Sequence, residues 1–292
     1  MNKPLLTIVM CFGMLAGCKH HHDNESGGIT YAATPLQVIL PVELYEASGI
    51  APSSSSPGSL WVEQDSGNPP VLSLMNTSSG TILHNVYIKA ATNRDWEDIA
   101  LAAGPVNNQQ YIYVGDIGNN DATAAQTIIY RFPEPSSSTD TVFTADRISF
   151  TYADGPRDAE AFIVDDSTLD IFIITKRENA SRIYKLTYPY STSASNVAAF
   201  VGVLPYTGVV SAAASSDRTE LLVKTYGGIW HYQKAPTQPI DDCLLHTAGT
   251  ALAYQLELQG EAVSFSLDNQ GFFTLSEMPA GQPQALYFYG KN

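Results

Sequence analysis

The chain has 292 residues, of which 29 are Asp or Glu and 15 are Lys or Arg, so its formal net charge is −14. Phosphate binding needs clustered basic residues, and this acidic balance therefore excludes nucleic acid as a partner. Hydrophobic residues make up 44% of the chain and there are 16 tyrosines, which excludes a disordered chain and suffices for one large β domain or two small ones.

The first predicted element is a secretion signal over residues 1–17. Lys3 precedes an apolar run that is too short to span a bilayer stably. The sequence Leu15-Ala16-Gly17-Cys18 resembles the lipobox of bacterial lipoproteins, which implies cleavage before Cys18 and lipidation of its thiol. An ordinary signal peptide with a chance cysteine is the alternative. The lipoprotein interpretation places the protein in the bacterial cell envelope, anchored to the membrane through Cys18, and Lys19 after that cysteine favours the outer membrane.

Residues 18–28 follow as a predicted tether, because this segment is polar and ends in two glycines. Residues 29–292 are then expected to form a single domain. Cys11 leaves with the signal and Cys18 is lipidated, so Cys243 remains alone and no disulfide is expected within the mature chain. We expect this domain to be a monomer.

A repeat dominates the rest of the chain. Apolar segments of 5 to 9 residues, separated by Gly, Pro, Ser, Asn and Asp, are typical of an all-β protein. Five times a small or acidic pair opens a short apolar strand, and a turn then leads to a second apolar strand with a polar end. Spacings of 49, 63, 53 and 48 residues separate the repeat markers Ser48, Glu97, Glu160, Ala213 and Glu261. A period near fifty predicts one four-stranded propeller blade per repeat.

These repeats predict a single β-propeller with five four-stranded blades. The strand at residues 36–40 has no blade of its own, so it is expected to join the last blade and close the ring. The alternative is a six-bladed ring, with the sixth blade hidden in the 63-residue step. Residues 133–138, which lie in that step, are interpreted as a surface loop.

Polar residues occur where each first strand begins and where each second strand ends. Because neighbouring strands are antiparallel, both positions lie at the same end of a blade, and the blades gather them around one channel mouth. The candidate ligand-binding residues of this mouth are Asp65, Asp95, Glu97, Asp116, Asp158, Glu160, Lys176, Arg177, Lys224, Glu261 and Glu277. Crowded carboxylates suit Ca²⁺, which makes Glu97, Glu160 and Glu261 the candidate Ca²⁺ ligands and Ca²⁺ the one cofactor suggested.

The repeats contain several longer motifs, among them Asp95-Trp96-Glu97-Asp98, residues 115–120 (GDIGNN), Asp158-Ala159-Glu160-Ala161 and Gln259-Gly260-Glu261-Ala262. Together these motifs resemble a family of secreted bacterial β-propeller proteins with no established activity. A fainter similarity to phytase-like propellers implies Ca²⁺ in an acidic channel and hydrolysis of phosphoesters. The fourth repeat departs from the family pattern, since Ala212-Ala213 stands where relatives tend to carry Ala-Asp.

Three functions follow from this interpretation. The first is a binding protein whose acidic mouth recognises a small molecule, a glycan or a protein, with or without Ca²⁺. The second is a hydrolase of phytase-like or glycosidase type that uses the same carboxylates, although no nucleophile motif assigns catalytic residues. In the third, the acidic ring is purely structural, and each carboxylate accepts backbone hydrogen bonds.

Overall fold

Short β-strands account for nearly all of the regular secondary structure, and the prediction of an all-β chain is confirmed. The computed structural model describes residues 28–41, 44–277 and 283–292. The predicted signal peptide, Cys18 and all of the predicted tether except Gly28 lie outside the described residues. Within these ranges, no helix has the length and apolar character needed to cross a bilayer.

The strands form four sheets, and dividing the eight-stranded sheet at its parallel β10–β14 pair gives five groups, which we call meanders 1 to 5. Meander 1 contains β2 (Ala47–Pro52), β3 (Ser59–Gln64), β4 (Val71–Asn76), β5 (Ile82–Ile88) and the edge strand β9 (Thr141–Val142). Meander 2 contains β6 (Trp96–Ala103), β7 (Gln110–Asp116), β8 (Thr127–Pro133) and β10 (Asp146–Tyr152). Meander 3 contains β11 (Ala159–Val164), β12 (Ile171–Thr175), β13 (Arg182–Leu186) and β14 (Asn196–Val203). Meander 4 contains β15 (Val209–Ala214), β16 (Glu220–Thr225), β17 (Gly228–Gln233) and β18 (Thr250–Ala251). Meander 5 contains β19 (Gly260–Phe265), β20 (Gly271–Ser276), β21 (Ala285–Gly290) and the first strand of the chain, β1 (Leu36–Ile39).

The first strands of the five meanders contact one another in a closed cycle. β2 contacts β6, then β11, β15 and β19 follow in order, and β19 contacts β2. Every residue of β11 and β19 is buried, including Glu160 and Glu261, and the apolar and small residues that follow each glutamate suit strands covered on both faces. Meanders 2 and 3 are also joined at their outer edges, where β10 pairs with β14 in parallel.

Each first strand carries a β-bulge near its beginning. The register against the second strand shifts by one residue in all five meanders. The extra residues are Ser48, Glu97, Glu160, Val210 and Glu261. The repeat marker in meander 4 is therefore Val210, and its assignment to Ala213 is wrong by three residues. A bulge bends the strand and releases the extra residue from the ladder of hydrogen bonds. Its side chain can then lie at the end of the ring that the five first strands form.

The long second step, of 63 residues between Glu97 and Glu160, has a specific cause. After β8 the chain leaves meander 2, adds β9 in parallel to β5 of meander 1, and returns to β10. The Glu134 carboxylate anchors this excursion by accepting hydrogen bonds from Ser54 N at 2.9 Å and Trp61 Nε1 at 3.1 Å. The additional residues of the step thus extend meander 1, and among the described residues they form no further meander.

Two elements differ from the expected pattern. A two-turn helix, α1 (Ile240–His246), lies between β17 and β18, and its acidic first turn and His246 in the last turn suit the helix dipole. The fourth strand of meander 4 is also short, because β18 ends at Ala251 and the following residues are irregular.

Both ends of the described chain meet at meander 5. β1 pairs with β21, and a bridge joins Tyr31 to Lys291. The buried Glu220 carboxylate, at the start of β16, accepts a hydrogen bond from Tyr31 Oη at 2.6 Å and forms an ion pair with Lys291. This contact lies at the end of the ring where the first strands finish, because Gly290 pairs with Gly271 at the start of β20.

Candidate cation and ligand site

The predicted site residues lie where the first strands begin and the second strands end. We call this the acidic end of the ring. Antiparallel register creates it, since Trp96 of β6 pairs with Asp116 of β7 and Ala159 of β11 pairs with Thr175 of β12. Asp65, Lys176 and Glu277 directly follow their second strands.

A group of three carboxylates occupies the side formed by meanders 1 and 2. Asp65, Asp95 and Glu97 each offer an oxygen, and these oxygens all lie within 4.8 Å of one another. A second group of the same kind consists of Glu46, Asp65 and Glu277, so Asp65 belongs to both. Glu46 did not stand out in the sequence, because it precedes the repeat and belongs to no strand.

Gly118 explains part of the GDIGNN motif. A Cβ atom at this position would lie 2.0 Å from Glu97 Oε1 and 2.5 Å from Asp95 Oδ2. Only glycine allows the backbone to approach both carboxylates this closely.

Glu97 is the most poorly compensated member of the three-carboxylate group. It is 4% exposed, and no group in the described residues donates a hydrogen bond to it. Burial, with the charges of Glu160 and Asp65 added, raises the pKa of Glu97 well above its usual range. Burial also raises the pKa of Asp65 to about 6 and that of Asp95 above its usual range. A bound cation would remove this repulsion and favour the ionised form of all three.

The side formed by meanders 3, 4 and 5 is compensated internally. The Lys176 ammonium forms an ion pair with Glu160 and donates a hydrogen bond to Tyr226 Oη at 3.0 Å. The Tyr226 hydroxyl in turn donates to Glu261 Oε1. Burial raises the pKa of Glu160 to about 8, although Lys176 opposes the shift. Burial likewise raises the pKa of Glu277 to about 8, and the charge of Glu261 adds to the shift.

Tyr226 is the site residue that the sequence did not indicate. It lies in the turn between β16 and β17, and it reaches the acidic end from the meander whose bulge residue is Val210 rather than an acid. A single tyrosine in a short turn has no counterpart in the other repeats, so the repeat pattern offered no signal for it.

The three candidate Ca²⁺ ligands from the sequence have different surroundings. Within the described part of the chain, Glu97 alone of the three belongs to a carboxylate group close enough to share an ion. Glu160 contacts Lys176 and Glu261 contacts Tyr226. Their charges still raise the pKa of Glu97, so all three act on the same region. Ca²⁺ coordination by this set stays a prediction.

Two other predicted acids have hydrogen-bond donors from the protein. Asp158 accepts a hydrogen bond from Asn119 N at 2.8 Å and forms an ion pair with Arg177, whose side chain is 52% exposed. Asp116 accepts from Asp95 N at 3.0 Å, and Arg94 Nε lies 3.4 Å from the same oxygen. Burial nevertheless raises the pKa of Asp116 to about 6.

Asp98 supports the structural interpretation for its own position. This residue is 1% exposed. It accepts hydrogen bonds from Ile99 N at 3.0 Å, Phe162 N at 3.2 Å, Ser211 Oγ at 3.2 Å and Ala212 N at 3.4 Å. The carboxylate therefore ties β6 to β11 and β15 across the ring.

Lys224 is fully buried between meanders 4 and 5. Its ammonium donates to the Gly260 carbonyl and lies 4.8 Å from the centre of the Tyr254 ring. Burial lowers the pKa of Lys224 to about 8, although Glu257 opposes the shift. The side chain thus contacts protein groups on the side that faces meander 5.

Comparison with known proteins gives little further information. No protein-family model and no curated protein matches the chain. Among solved structures, hydrazine synthase of Kuenenia stuttgartiensis is similar at 10% sequence identity with a TM-score of 0.44. The match covers 81% of this chain and 94% of that chain.

Proposed function

We propose that the five meanders are the blades of one five-bladed β-propeller. The cyclic contact of the first strands, the bulge at the same place in each of them and the pairing of β1 with β21 support this architecture. A ring closed in this way has no unpaired edge at its seam.

The function that we propose for this propeller is Ca²⁺-dependent binding of a small molecule, a glycan or a protein at the acidic end. One observation carries the proposal: the Glu97 carboxyl is buried, no described residue donates a hydrogen bond to it, and its oxygen lies within 4.8 Å of an oxygen of Asp65 and an oxygen of Asp95. Buried carboxylates without partners are costly, and three oxygens in this arrangement match the ligands that Ca²⁺ prefers.

We also propose that the protein is a lipoprotein of the bacterial envelope, held at the outer membrane by Cys18. The support is the sequence Leu15-Ala16-Gly17-Cys18 after a basic residue and an apolar run. Metabolic labelling with a palmitate analogue tests this part independently. Label should be incorporated into the natural chain and lost in Cys18→Ala.

The test of the binding function is the melting temperature of residues 27–292 in EDTA and then in excess CaCl₂. An ion at a hundredfold excess over its dissociation constant stabilises the folded state by about 2.7 kcal/mol. For a domain of this size we expect a rise of roughly 5–10 °C. An unchanged melting temperature would refute Ca²⁺ binding and return the carboxylates to a structural role.

A further inference from the structure

The acidic end has a further group of possible ligand atoms on the side of meanders 3 to 5, and the Lys176 side chain already contacts it. Glu160 from meander 3 and Glu261 from meander 5 are both bulge residues, and Tyr226 from meander 4 lies between them. The Lys176 ammonium contacts Glu160 and Tyr226 directly, and it lies 5.0 Å from the centre of the Tyr226 ring.

We propose that Lys176 occupies a latent divalent-cation site formed by Glu160, Tyr226 and Glu261, so that the acidic end binds one exchangeable cation instead of two. The inference rests on the proposed function only for the wild-type site at Asp65, Asp95 and Glu97. The latent site itself involves none of those three residues.

An unpartnered oxygen supports the latent site. Glu160 is 3% exposed, and its second oxygen, Oε2, is buried with no hydrogen-bond partner among the described groups. The Lys176 ammonium therefore compensates only one of the two oxygens. A divalent ion can bind both oxygens of a carboxylate together with a hydroxyl and a second carboxylate, whereas an ammonium offers three directed hydrogens and a single charge.

The local charges point the same way. Glu277 lies next to Glu261 and interacts with it electrostatically, so a third acid is available on this side. Lys176 is the basic residue that forms an ion pair with Glu160, because the neighbouring Arg177 turns instead to Asp158 and Asn120. Removing the lysine amine would leave Glu160 buried without a counter-ion beside two further acids.

The experiment compares Lys176→Met with the wild type and with Lys185→Met. Lys185 is a matched control, because it also pairs with a buried acid (Asp170, at 2.8 Å) and lies 5.1 Å from the centre of an aromatic ring, that of Phe172. Calorimetric titration of EDTA-stripped protein with CaCl₂ should show one ion for the wild type, one for Lys185→Met and two for Lys176→Met. A Lys176→Met variant that binds no more ions than the wild type overturns the inference, even if the wild type binds Ca²⁺.

Thermal melting gives a second readout. In EDTA, Lys176→Met should melt several degrees below the wild type, and CaCl₂ should recover most of that loss. The double variant Lys176→Met/Glu160→Gln should not show this recovery. If Lys176→Met is unfolded in EDTA, folding on addition of CaCl₂ supports the inference, and failure to fold in both conditions overturns it.

The titration also separates the two proposals. One bound ion in Lys176→Met and none in the wild type would support the latent site and refute the proposed Asp65, Asp95 and Glu97 site. No bound ion in either protein would refute both.

Discussion

Glu97 and Asp98 are neighbours on β6, yet they belong to two regions that differ in the hydrogen-bond donors they offer to a buried carboxylate. Asp98 lies inside the ring and accepts four hydrogen bonds from three strands. Glu97 lies at the acidic end, is 4% exposed, and accepts none from the described residues. The β-bulge separates them, because it takes Glu97 out of the ladder while Asp98 stays in register with Gly115.

This contrast shows how a repeated acidic motif acquires two roles. Donors from neighbouring strands make a carboxylate part of the scaffold, as they do for Asp98. A buried carboxylate without donors is stabilised by a proton or by a nearby cation, and this applies to Glu97 with Asp65 and Asp95. Both residues carry a carboxylate, and they differ in the hydrogen-bond donors that the described residues supply to them.

The largest expected effect is the loss of stability in Asp98→Ala. This change removes the acceptor for the amides of Phe162 and Ala212 and for the hydroxyl of Ser211. Each buried donor left without an acceptor lowers the free energy of unfolding by about 1–3 kcal/mol. We expect the melting temperature to fall by roughly 10 °C, both in EDTA and in CaCl₂. The exposed acid Asp121 provides a control, since Asp121→Ala removes the same charge without such contacts. A fall in CaCl₂ alone would place Asp98 in the cation site instead.

Glu97→Gln should produce the opposite pattern. The variant removes a buried carboxyl that the protein does not compensate, so its melting temperature in EDTA should equal or exceed that of the wild type. Stabilisation by CaCl₂ should disappear, with an apparent Ca²⁺ affinity at least about tenfold weaker, because one charged ligand is lost. Differential scanning fluorimetry and calorimetric titration measure the two effects. Undiminished stabilisation by CaCl₂ would remove Glu97 from the site.

The dependence of the unfolding free energy on pH should differ between EDTA and CaCl₂. The pKa values of Glu160 and Glu277 are raised to about 8 in the folded protein, so the folded state holds protons that the unfolded chain releases near pH 4–5. In EDTA the free energy of unfolding should therefore decrease as the pH rises from about 5 to 8. Ca²⁺ binds the ionised carboxylates and should flatten or reverse this trend. A melting temperature that rises over this pH range in EDTA would contradict the raised pKa values.

The smallest effect is expected for Arg177→Met. Arg177 pairs with Asp158, but its side chain is half exposed, and exposed ion pairs contribute about 0–1 kcal/mol. Asp158 keeps its hydrogen bond from Asn119 N in this variant. The melting temperature should change by no more than a few degrees, with the same Ca²⁺ dependence as the wild type. A loss of Ca²⁺ stabilisation would show that Arg177 orders the acidic end.

Local patterns in the sequence predicted much of this arrangement. Short apolar runs predicted the strand positions, and the surplus strand near Leu36 predicted its pairing with β21. The acids at strand ends were expected to lie near one another because antiparallel pairing brings those ends together. Glu97 was singled out for this reason, and the structure places it next to Asp65 and Asp95.

Other features depend on the register and on side-chain reach, which a repeat pattern does not encode. The fourth marker was misplaced because three consecutive alanines, Ala212 to Ala214, obscure the bulge at Val210. Tyr226 and Glu46 were missed because they belong to a turn and a connecting segment. The division of Glu97, Glu160 and Glu261 into different environments depends on Lys176 and Tyr226, whose contacts cross from one meander to another.

The junction of Tyr31, Lys291 and Glu220 has a practical consequence for attachment. Because both ends of the described chain emerge where the first strands finish, a linker fused at either terminus leaves from the side facing away from Asp65 and Glu97. A sensor chip or a bead coupled through such a linker would display the carboxylates outward in a uniform orientation.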